Sequence, residues 1–215
     1  LHSQSGKAAW EKNYSMGNAQ AALFAKATVL ENPSTEGFYQ IFSQYTDFVT
    51  QVEPSYNNYT FPTFDVFTVT ERFPSSSGLK DFALGDELLR ASFSSGSNEG
   101  EGMFAATVVD FGSLPVSDGT VIGYQLQTVD GGYYMAYNVV AITAEKGAFV
   151  DWESVLGNCL KTLTYSGSFI SATNQASNEA VAQAIQISQN FNQAMDGIMS
   201  SWESRSKSQD IMNQK

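Results

Sequence analysis

The stretch that decides the fold spans residues 103–143 and reads MFAATVVDF (103–111), GSLPVSDGT (112–120), VIGYQLQTV (121–129), DGG (130–132), YYMAYNVVAIT (133–143). Its three long runs are rich in β-branched and aromatic residues, and Gly, Asp and Pro lie between them. This composition is typical of strands joined by tight turns. The sequence therefore predicts three consecutive strands in an antiparallel meander, with LPVSDG (114–119) and DGG as the turns.

A helix is predicted directly after this meander, in DWESVLGNCLKTL (151–163). Asp151 is a good N-cap, and the apolar positions recur at spacings of three and four; they are Trp152, Val155, Leu156, Cys159, Leu160 and Leu163. We expect Cys159, the single cysteine, to be buried on this face. A strand meander covered by helices predicts an α+β fold rather than alternating parallel units.

The N-terminal half is predicted to contain more helix than strand. Residues 7–31 are expected to form one helix that ends at Asn32-Pro33, and residues 34–54 a second one with an aromatic stripe. A loop (55–62) leads to a strand in TFDVFTVTERF (63–73). A short helix is expected in DFALGDELLRASF (81–93), and a Gly- and Ser-rich loop in SSGSNEGEG (94–102).

From about Asn174 onward the chain is predicted to be one long helix. Its stripe recurs at spacings of three and four and consists of Ala180, Ala184, Ile187, Phe191, Met195, Ile198 and Trp202. The stripe packs either within its own chain or against a second copy or another partner, and Phe191, Met195, Ile198 and Trp202 are then the partner-binding candidates. We therefore divide the chain into an N-terminal helical segment (1–54), an antiparallel α+β domain (55–170) and a C-terminal helix (171–215).

Composition narrows the classes of partner. The net charge is −11, and the eleven Lys and Arg residues are scattered, which argues against nucleic-acid binding. No run of about 18 apolar residues occurs, so a transmembrane helix is not expected. Only 15% of residues are charged, and such neutral polar surfaces are common in exported proteins. Because LHSQSG lacks an initiator Met and a signal-peptide core, we expect a trimmed start from which a signal or lipid anchor has been removed.

The sequence lacks residues that several catalytic mechanisms require. His2 is the only histidine and is expected to be frayed, which argues against Cys/His and Ser/His/Asp mechanisms. The Asp118-Gly119 and Asp130-Gly131 pairs lack the alternating carboxylates of a calcium loop, so we interpret them as turns and expect no metal. No cofactor motif is present. The acidic pairs Glu99 with Glu101, and Asp86 with Glu87, are expected to be solvated.

Residues from about Leu88 to Lys215 resemble a group of uncharacterised exported bacterial proteins with a PsbP/Mog1-like fold. The likeness is carried by the polar turn SSGSNEGEG, the strand MFAATVVDF, the element AITAEKGAFVDWESVLGNCLKTLTYS and the Gln-rich segment that ends in SWESRSKSQDIMNQK. The resemblance implies an antiparallel sheet covered by helices. It supplies no catalytic residues.

Three functions are compatible with these observations. The first is a non-enzymatic binding or accessory domain of the bacterial envelope or exterior, with Tyr124, Tyr133, Tyr134 and Tyr137 as candidate residues of a ligand pocket. The second is an assembly module that uses the C-terminal helix to form an oligomer or to hold a protein partner. The third, ranked last, is a hydrolase of envelope polymers that uses Glu99 and Glu101.

Overall fold

The structure is a computed structural model that describes residues 1–74, 79 and 82–162. The helices are α1 (Gln4–Ser15), α2 (Ala22–Lys26), α3 (Thr35–Gln40), α4 (Phe42–Val52) and α5 (Phe149–Lys161), with short 3-10 helices at Ala19–Ala21 and Pro54–Asn58. The strands are β1 (Val66–Pro74), β2 (Ala83–Ser95), β3 (Asn98–Asp110), β4 (Pro115–Ile122), β5 (Gln125–Asp130) and β6 (Tyr134–Glu145). The α+β class is confirmed.

Four strands form an antiparallel sheet in the order β1-β2-β3-β6. Strand β3 is central, and every residue from Gly102 to Val109 is buried. A strand that is covered on both faces is apolar at consecutive positions, as in MFAATVV, instead of alternating with polar residues. Helix α3 packs on one face of the sheet, and α5 packs on the other.

The larger core lies between the sheet and helices α3 and α4. Its rings belong to Phe38, Tyr39, Phe42, Phe64, Phe67 and Phe104. Phe104 lies at its centre, with ring centroids 5.0 Å from Tyr39 and 4.9 Å from Phe67, in edge-to-face geometry. Such pairs stabilise a core beyond the area that they bury. A second core of Leu88, Met103, Ala105 and Phe149 lies beneath α5.

A bulge in β6 lets this strand contribute to both cores. The pairing of β3 with β6 shifts between Ala105 and Thr107, and Asn138 has a left-handed backbone with φ of 52°. Tyr134 packs against the larger core before the bulge, whereas Val140 packs against the second core after it. One extra residue reverses the face on which alternate side chains lie.

The predicted meander is only partly correct. Strand β3 pairs directly with β6, while β4 and β5 form a separate two-stranded hairpin. The predicted turn LPVSDG (114–119) lies largely in β4. Strand β5 contains three polar residues, Gln125, Gln127 and Thr128. Their side chains are incompatible with a position inside a sheet that is covered on both faces.

The helix predicted in residues 81–93 is wrong, because this segment forms β2. Leu88 and Leu89 are adjacent, and both are completely buried because they face opposite sides of the sheet. Pairing with β1 and β3 therefore overrides the helical spacing of Leu84 and Leu88. Much of the predicted loop 94–102 also belongs to strands, since the β2–β3 hairpin turns between Ser95 and Asn98.

Both predicted N-terminal helices are present in shorter pieces. The first is interrupted at Gly17, whose φ of 96° is incompatible with a continuing helix, and its second piece ends at Lys26. The second is divided at Ile41 into α3 and α4. The domain division stays a prediction. The stripe of Phe191, Met195, Ile198 and Trp202 lies outside the described residues.

Candidate binding surface

The β4–β5 hairpin projects from the sheet and closes in a tight turn. Ile122 pairs with Gln125, so Gly123 and Tyr124 are the two turn residues. Gly123 has φ of 65°, and glycine at the first turn position is the pattern of a type II′ turn. This turn matches the right-handed twist of the two strands, so the local sequence favours the hairpin.

The base of the hairpin is fixed to α1. The indole Nε1 of Trp10 donates to the carbonyl oxygen of Gly131 at 2.9 Å, and the Asn13 side-chain amide donates to the carbonyl of Ser117 at 3.4 Å. Val116 is buried beside these contacts. Asp130 accepts from the backbone N–H groups of Leu114 and Gly132, and these hydrogen bonds hold the pKa of its carboxyl below the usual value.

Residues 121–126, which we call the hairpin tip, expose four large side chains. Val121 is 60% exposed, Ile122 65% and Leu126 63%, while Tyr124 is fully exposed. The surrounding segment GTVIGYQLQTV (119–129) contains no Asp, Glu, Lys, Arg or His. Single exposed apolar residues are common on protein surfaces, whereas four within six residues at the end of one hairpin are typical of an interaction site.

An aromatic row lies at the base of the same hairpin and consists of Trp10, Phe24, Tyr133, Phe111 and Tyr137. Trp10 stacks on Phe24 with centroids 4.5 Å apart, and Tyr133 stacks on Phe111 at 5.2 Å with an interplanar angle of 11°. Phe24 connects the two pairs, 6.3 Å from Tyr133. The row joins α1, α2 and the main sheet, and it supports the base of the hairpin tip.

The four candidate tyrosines lie in three different environments. Tyr133 and Tyr137 both contact Phe111 in the aromatic row. Tyr134 points to the other face of β6 and packs against the larger core, while Tyr124 lies in the hairpin tip. The structure thus brings Tyr133 and Tyr137 together and separates the other two from them. Ligand binding by these tyrosines stays a prediction.

His2 is not frayed, contrary to expectation. Its side chain is buried, and its backbone bridges Val29 and Tyr133. The ring Nδ1 lies 3.1 Å from the carbonyl oxygen of Gly132, and burial lowers the pKa of the imidazole. Within the described residues, His2 therefore acts as a core residue at the end of β6.

The four candidate carboxylates each have a partner. Glu99 accepts from Lys146 Nζ at 2.8 Å, and Glu101 lies 3.7 Å from the guanidinium of Arg90. Glu87 accepts from Arg72 at 2.9 Å, and Asp86 accepts from the Thr107 hydroxyl at 2.9 Å. These contacts are cross-strand or strand-to-loop pairings that stabilise the sheet surface.

A charged cluster underlies α5. The Arg90 guanidinium lies 5.6 Å above the Phe149 ring and 3.8 Å from Glu71, and its side chain is largely buried. Glu153 is buried on the inner face of α5, and burial raises the pKa of its carboxyl while the charge of Arg90 opposes that rise. The cluster lies between α5 and the sheet, so its contacts link the helix to the sheet.

Cys159 is exposed, and its predicted burial is wrong. The inner face of α5 is formed by Phe149, Glu153 and Leu156, so Cys159 falls on the outer side. Trp152 and Val155 share that outer side and are 55% and 51% exposed. Helix α5 therefore carries a second apolar stripe that the sheet does not cover.

An open cleft of about 730 Å³ lies at the opposite end of the sheet, between Phe93, residues 97–100 and residues 143–146. None of the four tyrosines lines it. In the described part of the chain, no helix is both long and apolar enough to cross a bilayer. Among the same residues, no group of three or more His, Cys, Asp or Glu side chains is arranged to hold a metal ion.

Comparisons with family models, curated proteins and solved structures give no match to this chain. The sequence pattern predicts a strand of the meander in residues 121–129, and of the tip residues it singles out only Tyr124 as a binding candidate. One signal was present: the only charged residues between Asp110 and Glu145 are Asp118 and Asp130, which bracket the tip.

Proposed function

We propose that the chain is a non-enzymatic binding or accessory domain of the bacterial cell envelope or exterior, and that the hairpin tip is its binding surface. The observation that carries this proposal is the exposure of Val121, Ile122, Tyr124 and Leu126 on a rigidly based hairpin. Exposed apolar side chains cost free energy when they contact water, and burying them against a partner recovers it.

Binding without turnover is favoured over hydrolysis by the placement of the carboxylates. Glu99 and Glu101, the pair considered for hydrolysis, are held by different cations, Lys146 and Arg90. A hydrolytic pair works across one scissile bond, whereas each of these two carboxylates is engaged in its own ion pair.

Sedimentation with envelope fragments of the source cells tests this proposal. We expect the full chain to pellet with the fragments, and the double variant Ile122→Gln/Tyr124→Gln to stay in the supernatant, because it removes two apolar contacts without adding charge. The matched control is Val66→Gln/Phe82→Gln, which changes two side chains that are 61% and 70% exposed, at the start of β1 and directly before β2. Equal pelleting of both variants would contradict the proposal.

We also propose that the fold is PsbP/Mog1-like and that the protein is exported. The first is supported by an antiparallel sheet with helices against both faces. The second is supported by the acidic, weakly charged composition, with only 15% of residues ionisable as Asp, Glu, Lys or Arg. An accessory role outside the cytoplasm suits a surface built mainly from neutral polar groups.

A second candidate function is an assembly module, and the outer stripe of α5 favours it. Trp152, Val155 and Cys159 form an apolar face, and the stripe of Phe191 to Trp202 follows later in the sequence. Two apolar helical faces can meet within one chain or between two copies. In this second proposal, an oligomer forms through the C-terminal helix.

For the assembly function, we expect Phe191→Ala and Ile198→Ala to weaken association while leaving the stability of the monomer nearly unchanged. Denaturant melts at two protein concentrations measure this, because only an associating protein has a concentration-dependent midpoint. A large stability loss that is independent of concentration would instead mean that the segment docks within its own chain. That result would exclude the assembly function for this stripe.

A further inference from the structure

We propose that the hairpin tip binds the interface of an electrically neutral phospholipid bilayer. This inference rests on the proposed function and names its partner: a lipid surface, reached by shallow insertion of Val121, Ile122, Tyr124 and Leu126. The chain is thus a peripheral membrane-binding module.

The charges of the tip and of the whole chain favour an electrically neutral lipid surface. Residues 119–129 contain no Asp, Glu, Lys, Arg or His, and the chain carries a net charge of −11. The nearest charged groups on the elements around the tip are Asp118, Asp130 and Lys12, whose ammonium lies 3.4 Å from the Thr120 hydroxyl. With one lysine and two aspartates nearby, the tip has no positive field that would attract anionic lipids. Insertion therefore depends on apolar contact with a zwitterionic surface.

Shape favours a bilayer over a folded partner. The tip is convex, with a two-residue turn and large side chains exposed on both sides of the ribbon. A protein partner would have to provide a pocket of matching shape, whereas lipids rearrange around a protrusion. At about 3.3 Å per residue, Gly123 lies roughly 10 Å beyond Thr120, the last residue held by α1. This distance lies at the upper end of the roughly 5–10 Å depth of interfacial insertion.

The polar groups of the tip limit how deeply it inserts into the bilayer. Tyr124 is at the apex, and tyrosine prefers the headgroup region because its ring is apolar and its hydroxyl needs water. Gln125 and Gln127 bring polar amides close behind it. Burying these amides in hydrocarbon would leave hydrogen-bonding groups unsatisfied. The tip therefore stays in the interfacial layer, with Ile122, Val121 and Leu126 against the upper acyl chains.

The test uses a fluorophore that reports on the polarity of its surroundings. Cys159, the single cysteine, is replaced by Ser, and a nitrobenzoxadiazole label is attached at Gln125→Cys in the full chain. The matched control carries the label at Ser97→Cys, in the polar turn of the β2–β3 hairpin. With phosphatidylcholine vesicles, we expect a blue shift and increased intensity at position 125 and no change at position 97.

The added change Ile122→Gln/Tyr124→Gln should lower vesicle binding at least tenfold, and vesicles that also contain phosphatidylglycerol should bind no better than neutral ones. No shift at position 125, equal shifts at both positions, or binding only to anionic vesicles would each overturn the inference. A blue-shifted signal before vesicles are added would also overturn it, since the tip would then be covered within the protein. Binding to envelope fragments that depends on the tip, without vesicle binding, would leave the proposed function intact and reject the lipid partner.

Discussion

Phe104→Ala is expected to destabilise the protein by about 3–5 kcal/mol, the usual cost of removing a buried aromatic ring. Phe104 is completely buried in the central strand, and its ring contacts those of Tyr39, Phe64 and Phe67. Removing it leaves a cavity that strands held on both sides cannot close. The free energy of unfolding, measured with denaturant, should fall by this amount, and Tm should fall by roughly 6–20 °C.

Phe82→Ala provides the control, because this side chain is 70% exposed and its loss should change stability by no more than about 0.5 kcal/mol. If Phe104→Ala does not fold, Phe104→Leu retains most of the volume and should show a smaller loss in the same direction. Equal stabilities for Phe104→Ala and Phe82→Ala would mean that the aromatic cluster is not the core of the sheet.

Tyr39→Phe is expected to cost about 1–3 kcal/mol near neutral pH, because it leaves buried acceptors without a donor. The Tyr39 hydroxyl lies 2.9 Å from the carbonyl oxygen of Ala105 and 2.8 Å from that of Val140. These two residues pair with each other directly beside the shift in pairing between β3 and β6. The hydroxyl donates to one carbonyl at a time and thereby supports the sheet where its ladder is interrupted.

The cost of Tyr39→Phe should decrease in alkali. Burial raises the pKa of Tyr39 far above its usual value of 10.0. Above about pH 10 the unfolded chain releases this proton while the folded chain keeps it, so the wild type loses up to about 1.4 kcal/mol of stability per pH unit from this group. The Phe variant has no such loss.

Denaturant melts at about pH 8 and about pH 11 measure this effect. The stability difference between wild type and Tyr39→Phe should be smaller at the higher pH. Tyr124→Phe is the matched control, because the Tyr124 side chain is fully exposed and its substitution should leave stability unchanged at both pH values. A constant cost for Tyr39→Phe would mean that its hydroxyl is hydrated in the folded protein.

The candidate site was only partly predictable, because exposure is not encoded in local pattern. Val121 and Ile122 have the composition of a buried strand. Gln125, Gln127 and Thr128 argue against burial on both faces, but no local pattern indicates whether a further layer covers one of them. The prediction about Cys159 failed for a related reason. Helix α5 has apolar residues on two sides, and the spacing alone does not determine which side meets the sheet.

The sequence by itself determined the α+β class, the apolar strand in residues 103–109 and the helix that begins near Asp151, because each depends on the periodicity of neighbouring side chains. Tertiary structure alone decided that β3 pairs with β6 and that 83–95 is a strand. It also decided that the bulge at Asn138 turns β6 from one core to the other. Strand pairing joins residues far apart in the chain, and its free energy comes from burial on both faces, which no local pattern contains.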